Sequence, residues 1–332
     1  MKEIGIIAFT QRGMALAEQV RARLPEGCRG EVCSDKSEAR NWLTANFQKK
    51  DTFLFICAAG IAVRYIAPLI RSKDVDPAVV VMDEFGRYAV PILSGHLGGA
   101  NQAAAELAAV TGSTVVLTTA TDVNGSFAVD VWSKRAGCKI ADIGSIKLVS
   151  SAILRGEKVG LQSGFPVDGP LPGELTLDEA ETGICVSLSE KPKPFPQTMN
   201  VVPRIVTLGA GCRKAASPEG FEKFILGVLA ENRISIHAIE KIASIDLKKH
   251  EKCMLSFSEK YQIPFVTYTA EELNRAEGSF EGSDFVKSVT GVDNVCERSA
   301  SLGSGGGTRI LSKTSGGGFT CALAMRDWKC RF

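Results

Sequence analysis

Residues 51–64 read DTFLFICAAGIAVR. From Thr52 to Cys57 the run is almost continuously apolar, the pattern of a strand buried on both faces. Small residues follow at Ala58, Ala59 and Gly60, and then a helix carrying Val63, Ile66 and Ala67. Upstream, residues 3–9 form a β-branched strand, and Thr10 caps a helix running to Leu24 with Leu16, Val20 and Leu24 on one face. Downstream, residues 78–82 (AVVVM) repeat the buried-strand pattern, and residues 88–93 pair with them across the turn at Phe85-Gly86-Arg87. An alanine-rich helix over 101–110 and a strand over 114–117 continue the series. This alternation predicts an α/β protein whose first domain is a mainly parallel sheet covered by helices.

The alternation weakens after residue 137. The middle region, 138–189, shows one helix over 145–154, one strand over 158–161 and the proline- and glycine-rich loop FPVDGPLPGE. Residues 190–203 (EKPKPFPQTMNVVP) carry four prolines and read as a linker. From 204 to 332 an α/β pattern restarts. It has a strand over 205–208, a helix over 217–231 with Pro218 in its first turn, a strand over 263–267 and a capping box at Thr269 and Glu272. Strands over 309–312 and 319–325 flank SKTSGGG and form a hairpin. The expected domains are therefore 1–137, a small middle α/β region at 138–189, the linker, and a C-terminal α/β domain at 204–332.

The 39 basic and 37 acidic residues leave a net charge of +2, so no global field recruits nucleic acid or an anionic membrane. The ten cysteines contain no C-x-x-C pair and the three histidines are far apart, which argues against a zinc finger or ribbon and for no metal held by the chain. The cysteines read as small buried hydrophobes in a reducing compartment. No apolar run approaches the roughly 20 residues of a membrane span, and MKEIGIIAF reads as a strand rather than a signal peptide. The expected location is the cytoplasm.

In open α/β sheets ligands bind beyond the carboxyl ends of strands. After the first buried strand, Gly60 permits close backbone approach and Arg64 can grip a carboxylate, unless this is an ordinary strand-to-helix turn. After AVVVM, Asp83 and Glu84 can serve as a base or a metal ligand, or simply as the acidic end of a turn. The segment Ser94-Gly95-His96-Leu97-Gly98-Gly99-Ala100-Asn101 offers a candidate acid–base or metal-ligating histidine among glycines that suit unusual dihedrals or a close ligand. Thr119 and Asp122 can position a polar substrate or cap the next helix. In the C-terminal domain, Gly209-Ala210-Gly211-Cys212-Arg213-Lys214 begins like a dinucleotide fingerprint, but lysine replaces its third glycine. It suits a carboxylate or phosphate better. Asn294-Val295-Cys296-Glu297 is a second polar entry to a helix. Neither Cys212 nor Cys296 has a sequence neighbour that would activate it. Ser304 to Gly307 and Ser315 to Gly318 lack the ending of a phosphate-binding loop and read as flexible turns.

Arg64 with its preceding turn, DPAVVVMDEFGRYAVPILSGHLGGAN and TTATD together resemble the N-terminal domain of the cobalt-precorrin-5A hydrolase family, often called CbiG. LGAGCRKAAS, IASIDLKKHE, AEELN and GVDNVCERSASL resemble its C-terminal domain, which is similar to the stand-alone CobE protein. The resemblance implies an enzyme of anaerobic cobalamin biosynthesis. Water would open the δ-lactone of a cobalt-corrin intermediate, acetaldehyde would leave, and cobalt-precorrin-5B would form. Cobalt would arrive with the substrate, so the chain would need no cofactor of its own. Transient contact with neighbouring pathway methyltransferases is expected. The candidate catalytic groups are Glu84, His96 and Asp83, with the Gly98 and Gly99 amides holding the developing charge. The candidate substrate contacts are Gly60, Arg64, Ser94, Gly95, Asn101, Thr119, Asp122, Gly209, Gly211, Cys212, Arg213, Asn294 and Glu297. Two rival readings are a non-catalytic corrinoid carrier and an unrelated nucleotide- or sugar-using α/β enzyme.

Overall fold

The computed structural model describes residues 1–72, 75–95, 98–118 and 125–332, with the backbone alone at 285. It divides into two compact units, Met1–Val131 and Trp132–Phe332.

The first unit holds strands β1 (Glu3–Ala8), β2 (Arg29–Val32), β3 (Thr52–Ile56), β4 (Ala78–Met82), β5 (Tyr88–Leu93) and β6 (Thr114–Val115) in the order β2-β1-β3-β4-β5-β6. Helices α1 (Gln11–Ala22), α2 (Ala39–Asn46), α3 (Ala59–Ile66) and α4 (Ala100–Thr111) accompany them. The first four strands of the sheet are mutually parallel, β5 runs antiparallel to β4, and β6 is parallel to β5. Period-2 alternation sends Leu54, Ile56, Val80 and Met82 to one core with Ala17 and Val20 of α1 and Leu107 of α4. Phe53, Phe55, Val79 and Val81 enter a second core with Leu43 of α2 and Ile66 of α3. Both faces are thus covered, which is why these strands read as unbroken apolar runs.

Helix α5 (Val129–Arg135) falls at the division between the units. The second unit contains two five-stranded sheets. One uses β7 (Cys138–Ile140), β8 (Val159–Ser163), β9 (Leu175–Thr176), β10 (Thr182–Val186) and β11 (Gln197–Pro203), ordered β7-β11-β10-β8-β9. Helix α6 (Ile146–Leu154) packs on it. The other uses β12 (Val206–Cys212), β13 (Ile239–Ile245), β14 (Phe265–Tyr268), β15 (Thr308–Gly316) and β16 (Phe319–Met325), ordered β14-β13-β12-β16-β15. Helices α7 (Pro218–Glu231) and α8 (Lys252–Tyr261) bury Phe221, Ile225, Met254 and Phe257 against one face. Short helices α9 (Ala270–Asn274) and α10 (Asp284–Thr290) precede α11 (Val295–Gly303), whose Cys296 and Ala300 meet Ala322 and Ala324 on the other face.

Two expectations change here. The stretch 190–203 is not a linker throughout: its second half is β11, buried from Met199 to Pro203 and paired with both β10 and β7. The strand expected over 205–208 is longer, and β12 absorbs Gly209, Ala210, Gly211 and Cys212. Among the described residues no helix is long and apolar enough to cross a membrane.

Candidate functional site

In the first unit the carboxyl ends of β1, β3 and β4 share one edge of the sheet, because these strands are parallel. Thr10 caps α1 by accepting from the Gly13 amide at 3.0 Å, and its hydroxyl donates to Glu84 Oε2 at 2.8 Å. Glu84 is partly exposed, while Gly60 and Arg64 at the start of α3 are exposed. Phe85 is 57% exposed, with the Arg12 and Arg87 guanidinium groups 4.3 and 4.8 Å from its ring centroid. Besides Asp83, the edge therefore offers the Glu84 carboxylate, three arginines and an aromatic face.

Asp83 does not fit a catalytic role. Its carboxylate accepts from the Phe85, Arg87 and Tyr88 amides, each at 2.9 Å, and from Arg87 Nε at 3.5 Å. Burial pushes its pKa up, but these hydrogen bonds outweigh burial and hold it below the ordinary value. Asp83 fastens the β4–β5 turn as an ion. A folded pKa below the unfolded one contributes stability above the unfolded value, and that stability is lost as pH falls through the folded value. The expected result for Asp83→Asn is a lower Tm at neutral pH, with the gap from the parent narrowing as pH falls below the ordinary carboxylate range. A gap constant with pH would disprove the ionic role.

Ser94 and Gly95, where the loop after β5 begins, lie at the other edge. Leu93 pairs with Val79 and Ala89 with Met82, so β5 carries the chain away from Glu84. Glu84 is five residues past Val79, which places it roughly 17 Å from the start of this loop at ~3.4 Å per residue. The expectation that Glu84 and the Gly98 and Gly99 amides act on one bond is therefore overturned by strand direction. The glycines have local reasons. A Cβ on Gly98 would lie 2.2 Å from Ser94 Cβ and 2.9 Å from its carbonyl oxygen. Gly99 caps α4 with a left-handed φ of 85°. Ser94 also has a positive φ, 56°, and its carbonyl accepts from the Ala100 amide at 3.0 Å. The Asn101 amide donates to Gly95 O at 3.0 Å. His96, Thr119 and Asp122 lie outside the described residues.

The second unit has a cleft of about 680 Å³ at the end of β12. Arg213, Lys214, Lys248 and Lys313 line it, against the single carboxylate of Asp293, which Arg298 holds at 2.8 Å. That arginine keeps the Asp293 carboxyl below its ordinary pKa despite some burial. Ile245, Val286, Val289 and Phe319 supply apolar wall. A cleft with excess cations and apolar sides suits a partly hydrophobic ligand bearing several carboxylates.

Of the residues expected here, Gly211, Cys212, Arg213 and Asn294 line the cleft and Gly209 and Glu297 do not. Gly209 sits inside β12 beneath α11: a Cβ would meet Cys296 O at 1.9 Å and Ala300 N at 2.7 Å. Gly209 and Gly211 pair with Ala322 and Thr320 of β16, so they form no phosphate loop. This removes the basis of the dinucleotide reading. Glu297 is 2% exposed and works as an internal clamp. It accepts from the Lys313 amide at 2.8 Å, the Glu281 amide at 3.2 Å and Asn294 Nδ2 at 2.7 Å, with Arg309 Nη1 3.4 Å away. Asn294, also 2% exposed, caps α11 through the Glu297 amide at 3.0 Å and donates to Glu281 O at 3.0 Å. Burial pushes the Cys296 thiol up to about 11, which opposes a nucleophilic role. Cys212 shares a hydrogen bond with Cys253, Sγ to Sγ 3.7 Å; that bond, with burial, raises the pKa of Cys212, while at Cys253 the same bond outweighs burial and lowers it. The sequence reading missed Lys248 and Lys313, which stand 65 residues apart and meet only through the fold.

The fold and cleft define a multidomain α/β protein with a cationic, partly apolar ligand site. Residues 41–122 match the family description "Cobalamin synthesis G N-terminal", 127–203 "Cobalamin biosynthesis central region" and 206–324 "Cobalamin synthesis G C-terminus". The chain is 34% identical to the cobalt-precorrin-5A hydrolase of Salmonella typhimurium over 94% of each chain. It is 31% identical to that of Priestia megaterium over 86% of this chain and 81% of the other. The solved structure of CobE, a protein from the cobalamin biosynthetic pathway, is 25% identical over 41% of this chain and 95% of that one, with a TM-score of 0.34. The chain belongs to the CbiG family of cobalamin-synthesis proteins.

Proposed function

We propose that this chain is a cobalt-precorrin-5A hydrolase of anaerobic cobalamin biosynthesis, working in the cytoplasm. The observation that carries the reading is the end-to-end relation to the Salmonella typhimurium hydrolase. The cleft chemistry supports it, because a corrin ring with acetate and propionate arms offers apolar surface rimmed by carboxylates. Arg213, Lys214 and Lys313 hold those arms through charge-assisted hydrogen bonds. Water adds to the lactone carbonyl and the ring ester bond breaks, leaving a carboxylate and a free secondary alcohol. The carbon–carbon bond to that alcohol carbon then breaks in retro-aldol fashion: the hydroxyl proton goes to a base, the bonding pair passes into the conjugated macrocycle, which takes up a proton, and the fragment leaves as acetaldehyde. The first unit supplies the candidate base, Glu84, with one oxygen engaged by Thr10. Cobalt comes in with the substrate, and neither step calls on a cofactor held by the chain. Transient contact with the pathway methyltransferases would hand over the labile intermediates.

Acetaldehyde release from cobalt-precorrin-5A under anaerobic conditions tests the reading. One acetaldehyde per corrin is expected, and Glu84→Gln is expected to lower kcat by about 100-fold or more, the scale of general-base catalysis. Tight corrin binding without acetaldehyde would mark a carrier instead. Full turnover by Glu84→Gln would remove Glu84 from the mechanism.

A further inference from the structure

The wall of the cleft contains a cluster for which the hydrolysis has no use. Cys212 ends β12 and lines the cleft, while Cys253, wholly buried, is the second residue of α8. Glu251 stands at the N-cap position of that helix, and its carboxylate and the two sulfurs all lie within 4.8 Å of one another. The sulfurs are 3.7 Å apart. Two thiolates on one tetrahedral zinc, each at ~2.3 Å, stand about 3.8 Å apart, so the pair is already spaced as two ligands.

We propose that Cys212, Cys253 and Glu251 bind one borderline-soft divalent cation of the zinc type, with its fourth position open on the side where Cys212 meets the cleft.

Two thiolates and a carboxylate carry three negative charges, and Lys248, 2.8 Å from Glu251, contributes one positive charge. The remaining charge of −2 matches a divalent ion. Binding releases two thiol protons to solvent, and no oxidant or reductant is required. Three protein ligands with an open fourth position is the arrangement of zinc sites that accept water or a substrate oxygen. The ion would add a fixed positive centre to a cleft already rich in cations. Sulfur ligands select zinc, or cobalt(II) as its spectroscopic substitute, over magnesium and calcium. This departs from the expectation of a chain that holds no metal. The spacing of the ligands explains the difference: Cys212 is 41 residues from Cys253, so no sequence motif announces the site. The assignment stands apart from the hydrolase reading and is tested without substrate.

The full-length chain, stripped with a chelator and kept reduced by a phosphine, is titrated with Co2+ under anaerobic conditions. One equivalent should raise a thiolate-to-cobalt charge-transfer band in the near ultraviolet, and one equivalent of Zn2+ should abolish it. Because Cys253 is wholly buried, the variants are placed at the two more open ligands, with circular dichroism confirming the fold. Cys212→Ser should reduce the band by half or more, and Glu251→Gln should weaken Co2+ binding at least about tenfold. Absence of the band in the parent, or its persistence unchanged in Cys212→Ser, would overturn the site. Unaltered affinity in Glu251→Gln would overturn this ligand set.

Discussion

Reversing the charge of Arg213 and Lys313 together, as Arg213→Glu/Lys313→Glu, is expected to raise the KM for cobalt-precorrin-5A by roughly 100-fold or more while Tm stays within a few degrees of the parent. Both line the cleft, and neither forms an ion pair among the described residues. Their positive charge is therefore free for a ligand. A hydrogen bond to a charged group is worth about 1.5–3 kcal/mol, and each 1.4 kcal/mol is a factor of ten in affinity. Two such contacts give two decades or more, even after discounting the exposure of Arg213 for solvent screening. The substitution also adds repulsion against the substrate carboxylates. Salt should mimic it in part, raising the parent KM between low and physiological ionic strength. Initial rates of acetaldehyde release against substrate concentration give both constants. A KM within threefold of the parent would show that the substrate is held elsewhere.

The largest stability effect is expected at Gly209. Replacing it by alanine puts a methyl group into the backbone of α11, 1.9 Å from Cys296 O. Neither atom belongs to a side chain that can rotate away, so the helix must lift from the sheet and open the contacts of Cys296 and Ala300 with Ala322 and Ala324. Overpacking costs about 1–3 kcal/mol where side chains can adjust. Here the collision is with main chain, and about 3 kcal/mol or more is expected. At roughly 2–4 °C per kcal/mol for a domain of this size, Tm should fall by about 10 °C, or the protein should accumulate insoluble. Gly227→Ala provides the contrast: it lies in α7 with nothing within 4 Å of the added carbon. That change should be neutral or stabilise by up to ~1 kcal/mol, since alanine favours a helix interior over glycine. Equal effects of the two substitutions on the thermal midpoint would contradict the packing account.

The sequence shows the sheet of the first unit clearly because burial on both faces writes itself as an unbroken run, as in Phe53 to Ile56 and Val79 to Val81. Local hydrogen bonding was equally readable: Thr269 and Glu272 form the capping box that their spacing requires. Edge strands left no such mark. Strand β2, RGEV, alternates exposed and half-buried residues, and among the described residues its one sheet partner is β1. Strand β11 was hidden by prolines at 192, 194 and 196, which precede it without interrupting its pairing. The site was less legible than the fold. Cys212 and Arg213 are legible in the sequence because they lie at the end of an apolar strand, Cys212 as its last residue and Arg213 just beyond it. Lys248 and Lys313 come from separate elements and are brought beside them only by tertiary structure. Glu84 and the Gly98 and Gly99 amides stand apart for a reason the sequence holds: the short turn between β4 and β5 reverses the chain, and reversal sends the two strand ends apart.

That reversal also bears on how the chain assembles. Strands β4 and β5 are separated by five residues, so they can pair after closing a very short loop. Pairing β1 with β3 must bring together residues nearly fifty apart, such as Ile4 and Thr52. The same contrast recurs in the second unit, where β15 and β16 join across Gly317 and Gly318 while β12 meets β16 only after more than a hundred residues. Closure entropy and contact order put the two hairpins early and the long-range strand pairings late. When the full chain refolds, the β4–β5 hairpin would therefore close before β3 and β1 join it, and Asp83, the residue that fastens its turn, would act on the rate of folding as well as on its end point.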